Sequence, residues 1–149
     1  MNAEKNIRLK PEMRLSSAKK IAEAVETEAE KIGVRAVVAI SDSAARIILV
    51  HVMDDAFAAS FDIAAGKAYT SAAMKMPTKT LKNLAQPGAD LYGIQNTNGG
   101  KIVVFGGGEA LFCGGVCVGA VGVSGGSEAE DTYLAEAGLK AFEKMVYKE

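Results

Sequence analysis

Three side chains in this chain stand where their surroundings could turn them to chemistry: Lys67, His51 and Ser124. Lys67 lies among small neighbours, Ala64-Ala65-Gly66 before it and Ala68 after it, where a charge must face solvent or meet an anion. A depressed pKa would make it a base or a Schiff-base nucleophile. Gly122-Val123-Ser124-Gly125-Gly126 satisfies G-x-S-x-G between a strand-like run and a helix-like one, as a nucleophile elbow does. The one histidine precedes that serine instead of following it, and the chain is short for a hydrolase of that kind. The run therefore reads as a glycine turn into a capped helix. Glycines leading into a helix N-terminus leave backbone N–H groups that can hold a carboxylate or phosphate. Gly125 and Gly126 would supply the amides and Ser124 a hydroxyl, and Gly106-Gly107-Gly108 offers a second such stretch. Neither run is a P-loop or a dinucleotide fingerprint.

His51 occurs in Ile47-Ile48-Leu49-Val50-His51-Val52-Met53, and strand alternation puts it on one face with Leu49 and Met53. It is either a structural histidine or, if iron is bound, the strongest nitrogen ligand, ahead of Met53, Tyr69 and the cysteines. Only two cysteines occur, Cys113 and Cys117. On one strand they would stand roughly 13 Å apart, beyond disulfide reach. They read as reduced thiols, too few for a structural zinc site.

The elements that must carry these residues follow from hydrophobic spacing. Leu15, Ala18, Ile21, Ala22, Val25, Ala29 and Ile32 mark an amphipathic helix that Gly33 stops. Val34–Ile40 and Ile47–Val52 read as an antiparallel hairpin. Asp54 or Asp55 can cap a second helix with the stripe Phe57, Phe61, Ala64, Ala65, Ala68 and Ala72, ended by Pro77. Thr78 can cap a short third helix through Leu84. Ile102–Phe105, Ala110–Cys113 and Val116–Ser124 read as three further strands, the last with Gly115, Cys117 and Gly119 as a small-residue face. Ser127 and Glu130 form a capping box for a terminal helix whose inner face would be Leu134, Ala137, Ala141 and Met145. The order, αββαα then βββα, argues for an α+β sandwich with helices flanking an antiparallel sheet.

Composition limits the function. The 149 residues are the size of one domain, 1–149, and can bury a core without disulfides. Lys plus Arg number 17 against 18 Asp plus Glu, so the electrostatic footprint of a nucleic-acid or membrane-surface partner is missing. No apolar run has the length of a membrane span or the form of a signal peptide, so the expected compartment is the cytoplasm.

Lys67 to Thr70 followed by Pro77-Thr78, then Gly106-Gly107-Gly108, then Gly119 to Gly126 with Asp131 and Ala137-Gly138-Leu139, resemble the GlcG/HbpS family, which includes the C-terminal domain of PduO-type proteins. The likeness runs from the Leu15 helix to Phe142, and the Gly119–Gly126 block with Asp131 is its most specific part. It implies a profilin-like three-layer α-β-α sandwich with a five-stranded antiparallel sheet, and homo-oligomers. For some members it implies binding of haem or a corrinoid-related ligand, in glycolate, propanediol or glycerol utilisation. The chain departs from the family pattern at Ser43-Ala44-Ala45, where a glycine pair is usual, and at Glu109-Ala110, where proline is usual. A family histidine of the N-terminal helix is also missing. The second departure puts Glu109 at the edge of the expected pocket.

The leading expectation is a non-catalytic small-molecule-binding accessory protein, binding haem or a related tetrapyrrole as a homo-oligomer. Its pocket would gather Lys67, Thr78, Gly106, Gly107, Gly108, Glu109, Ser124, Gly125 and Gly126, with His51 as the haem-iron ligand. An enzyme acting on a small hydroxy acid or aldehyde through Lys67, and a structural partner in a metabolic assembly, are the alternatives.

Overall fold

The computed structural model describes residues 3–148. A short helix α1 (Ala3–Asn6) precedes α2 (Leu15–Ile32), the hairpin β1 (Val37–Asp42) and β2 (Ile47–Val52), α3 (Ser60–Met74) and α4 (Thr78–Leu84). Two 3-10 turns between 94 and 100 lead to β3 (Gly108–Cys113), β4 (Val116–Ser124) and α5 (Glu128–Tyr147). The four strands form one sheet in the order β2-β1-β4-β3, with every pairing antiparallel.

Both central strands are covered on their two faces. Val38 and Ile40 of β1 and Val121 and Val123 of β4 share a core with Ile21, Val25 and Leu134 from α2 and α5. Val37 and Ala39 face the other way, onto Ala64 and Ala68 of α3. A strand buried on both faces has no polar side, which is why β1 reads as a continuous apolar run. α2 ends as its spacing predicts: Gly33 adopts φ 72, and its amide and the next reach back to Glu30 and Ala29. The Ser127/Glu130 capping box at the start of α5 is complete.

The sheet has four strands among the described residues, not five. Ile102–Phe105 carries β-branched and aromatic residues but lies against α3 instead of pairing. Its Val103 amide donates to Thr70 Oγ1 at 2.9 Å, and a Cβ on Gly66 of α3 would stand 2.7 Å from Val103 Cγ2. A backbone whose amide is met by a helix side chain has no ladder to join, and packing against a helix selects the same residue types as a strand does. The ladder begins only at the glycine run, with Val123 N–H donating to Gly107 O and Gly108 opening β3.

Local details also differ from the sequence reading. α3 starts at Ser60 without a side-chain cap, because Asp55 turns the chain at φ 65 and its carboxylate pairs with Arg35. Phe57 and Phe61 therefore lie exposed, outside the buried stripe. Thr78 is the first residue of α4, not its cap, and its hydroxyl accepts the Gly108 amide at 2.9 Å. The small face of β4 is Ala120, Gly122 and Ser124, all buried. A register shift in the β3–β4 ladder changes which residues point to α3. The buried face of α5 is Asp131, Leu134, Ala135, Gly138 and Phe142, while Met145 is exposed. Gly138 lets this helix close on Val25 and Val121, which turns the inward face away from Ala137 and Ala141. Cys113 and Cys117 are free, in neighbouring strands; Cys113 pairs with Val116 and Cys117 with Phe112. Consecutive ladder positions point to opposite faces, so the thiols diverge.

Candidate functional site

Close packing of α3 on β4 creates the first cluster. A Cβ on Gly122 would lie 2.2 Å from Ala64 O and 2.5 Å from Ala68 N, so only glycine lets the helix backbone settle this low on the sheet. At that height Lys67 passes the end of β4 and is fully buried. Its Nζ donates to Val123 O at 2.8 Å and to Asp131 Oδ2 at 3.0 Å, and stands 4.9 Å from the centre of the Phe105 ring. Gly107, at φ +117, passes so near that a Cβ there would be 2.6 Å from Nζ. Asp131, in the first turns of α5, accepts the Gly126 amide at 2.8 Å with Oδ1.

Burial pushes the Lys67 ammonium down from the usual lysine range, opposed by the Asp131 charge. Burial likewise pushes Asp131 up, opposed by the Gly126 amide and Lys67. Each charge is held in place by the other. The Ser124 hydroxyl hydrogen-bonds Ser60 Oγ at 3.1 Å, and the histidine of an elbow is nowhere near, since His51 pairs with Glu26.

The fold thus brings Lys67, Thr78, Gly106, Gly107, Gly108, Ser124, Gly125 and Gly126 to one end of the sheet. The space at their centre is filled by Asp131, whose carboxylate sits where an anion would meet the lysine and the glycine turn. An open hollow of about 290 Å³ lies alongside, walled by Phe57, Ile63, Phe105 and Ser124 among others. Glu109 is placed elsewhere. It pairs in register with Val121, on the face toward α5, where Lys79 Nζ lies 3.6 Å from its carboxylate and 2.7 Å from Glu136.

His51 lies on edge strand β2, in register with Val38 and on the α2 side of the sheet. Its Nδ1 is hydrogen-bonded to Glu26 of α2. No hydrogen bond involves Nε2 among the described residues. The ring lines a cleft of about 750 Å³ between the last turns of α2 and the end of β2, with Val34, Arg35, Val52 and Met53. Arg35 holds Asp55 at 3.0 Å through an exposed pair, and such pairs exchange at little cost. The Met53 sulfur already accepts the Ala36 amide at 3.4 Å. Tyr69 belongs to α3, and its hydroxyl is met by Asn98. Sequence reasoning did not reach Glu26 or Arg35, which are separated from His51 by 25 and 16 positions and carry no local signal. Asp131 could have been noticed as a carboxylate on the inner side of an otherwise apolar helix face.

Among the described residues no three His, Cys, Asp or Glu side chains gather as a bare-metal site, and no helix is long and apolar enough to cross a membrane.

These features define an α+β protein on one antiparallel sheet, with a sealed lysine–aspartate pair on one side and a histidine cleft at the edge. The chain belongs to the HbpS-like family, described as haem degrading protein HbpS-like, whose pattern matches residues 13–140. It is 44% identical over 131 residues to a 15.0 kDa protein from the dhaT-dhaS intergenic region of Citrobacter freundii, covering 88% of this chain and 92% of that one. It is 38% identical over 121 residues to the corrinoid adenosyltransferase PduO of Salmonella typhimurium, covering 81% of this chain but only 36% of PduO. Among solved structures, the Klebsiella pneumoniae protein ORFY superposes with a TM-score of 0.89 at 37% identity, over 93% of this chain and 96% of that one. A PduOC:heme complex superposes at 0.85 and 35% identity, over 88% and 95%.

Proposed function

We propose that this chain is a non-catalytic accessory protein that binds haem or a related tetrapyrrole as a homo-oligomer, with His51 as the iron ligand. The setting is a pathway of the propanediol-, glycerol- or glycolate-utilising type. The observation that carries the reading is the state of His51: Nδ1 is held by Glu26, which leaves Nε2 as the coordinating nitrogen. A carboxylate on the far ring nitrogen fixes the tautomer and raises the basicity of a metal-ligating histidine. A porphyrin brings four nitrogens of its own, so one side chain suffices where a bare ion would need several. The cleft of about 750 Å³ is of cofactor size (roughly 300–1,000 Å³ is usual). Val34, Val52 and Met53 give it an apolar part of its wall, and Arg35 gives it a cation for a propionate, beside the carboxylates of Glu26, Glu30 and Asp54. Haem bound there would supply an iron centre, and this chain's part would be the His51 nitrogen, the Val34, Val52 and Met53 surface and the Arg35 cation.

The haem part of this reading is supported by the relatives, since one structural neighbour is a haem complex and the family is described as haem degrading. Of the cluster at the end of the sheet, Ser124, Gly125 and Gly126 line the hollow beside Phe105, which enters as a second place for a small molecule; Lys67, Thr78 and Gly106, Gly107 and Gly108 are not in its wall. Glu109 stands apart from both. An enzyme working through Lys67 would need an amine open to a carbonyl substrate, and Lys67 is sealed and ion-paired. Native mass spectrometry after mixing with hemin tests the proposal. One haem per chain retained on an assembly of several chains is expected; bare monomers would overturn it.

A further inference from the structure

We propose that the chain carries a separate site for a planar aromatic monocarboxylate, in the cleft between α3, the β1–β2 turn and the segment leading out of the 3-10 turns. The cleft measures about 740 Å³, and its surface is mostly apolar. Ala45, Ile47, Ile63, Ala65 and Val103 line it, and the Tyr69 ring gives it a flat aromatic surface. This place is distinct from the His51 cleft and from the Lys67 cluster, and shares no lining residue with the former.

The walls hold the cleft open, and its lining and rim charges point to a ligand with a flat apolar body and one negative end. Both walls are held by their own hydrogen bonds. Asp42 fixes the turn by accepting the Ala44 and Arg46 amides at 3.0 and 2.9 Å and Arg46 Nε at 2.9 Å. Thr70 fixes the opposite wall through the Val103 amide, and Gly66 allows that wall to touch the helix. A cleft with two fixed walls keeps its shape without a ligand, which lowers the ordering cost of binding. The charges on the rim are also arranged to suit. Lys101 Nζ stands 5.5 Å from the centre of the Tyr69 ring, and the Tyr69 hydroxyl accepts a hydrogen bond from Asn98. Arg46 is held by Asp42, so the rim offers one cation without a carboxylate partner among the described residues, Lys101, and one lining carboxylate, Asp62. An aromatic ring stacked on the face of Tyr69 that Lys101 now covers would displace the ammonium to the ring's edge, where a ligand carboxylate can meet it. A neutral ligand would displace that cation and offer it no partner, and a dianion would meet Asp62.

The probe is 2-naphthoate, a two-ring acid whose fluorescence is easily read because the chain has no tryptophan. One saturable site per chain is expected, with the methyl ester binding about tenfold more weakly, the loss of one charge-assisted contact. In Lys101→Ala the acid should weaken to the level of the ester. NMR shifts on titration should fall on Ile63, Tyr69 and Val103, a readout that needs no variant. His51→Ala should bind the acid as before, so failure of the haem reading leaves this one standing and the reverse. The proposal is overturned by an absence of saturable binding, by an acid-to-ester ratio unchanged in Lys101→Ala, by shifts confined to other surfaces, or by loss of binding in His51→Ala.

Discussion

The ion pair between Lys67 and Asp131 is almost closed to water, with the lysine fully buried and the carboxylate nearly so, and a buried pair is sensitive to loss of either member. Lys67→Met leaves a buried carboxylate with only backbone amides for company, and should cost about 3–5 kcal/mol in urea unfolding. Asp131→Ala leaves the lysine and the Gly126 amide facing a space of carboxylate shape. Added formate should then raise the melting temperature of the variant and leave the parent unchanged; equal responses would show that Asp131 does not act as an internal anion. Glu109 gives a different kind of test. Burial pushes its carboxyl above the usual carboxylate range, with Lys79 opposing and Glu136 adding. A carboxyl with a raised folded pKa holds its proton more tightly folded than unfolded, so its contribution falls as pH rises from the unfolded value, about 4.3, through the folded one. Glu109→Gln removes that loss. The variant should exceed the parent in stability at pH 7, with the difference shrinking as pH is lowered toward 4; a difference independent of pH would refute this assignment.

At the scale of elements, the helices announced themselves most clearly. The stripe from Ala18 to Ala29 and the Gly33 stop depend on residues a turn apart, and so does the Ser127/Glu130 box. Where a partner distant in sequence decides the outcome, local pattern fails. Ile102–Phe105 has strand composition, but Thr70 and Gly66 of α3 claim it first. The inner face of α5 is set by how closely Gly138 meets Val25, which periodicity alone does not state. Gly122 is the sharpest test of helix placement. Gly122→Ala drives a methyl into the backbone of Ala64 and Ala68, so α3 must rise from the sheet. A loss of about 1–3 kcal/mol is expected, together with faster acetylation of Lys67 by acetic anhydride. A variant as stable as the parent, with Lys67 still protected, would contradict the packing account.

For the molecule as a whole, the meeting of Lys67 with both glycine bends was readable, because a long side chain in a run of small residues and two bends at strand ends tend to share the end of one sheet. What fills the meeting point was not, since Asp131 reaches it only through the docking of α5. The setting of His51 was hidden for the same reason: Glu26 and Arg35 join it only when α2 packs beside the edge strand. The central claim is that this edge cleft binds haem through His51, and a hemin titration followed at the Soret band tests it most directly. The parent should show a saturable shift at one haem per chain, His51→Gly should lose it, and added imidazole should restore it in the variant. A His51→Gly spectrum identical to the parent's, with no response to imidazole, would contradict the account.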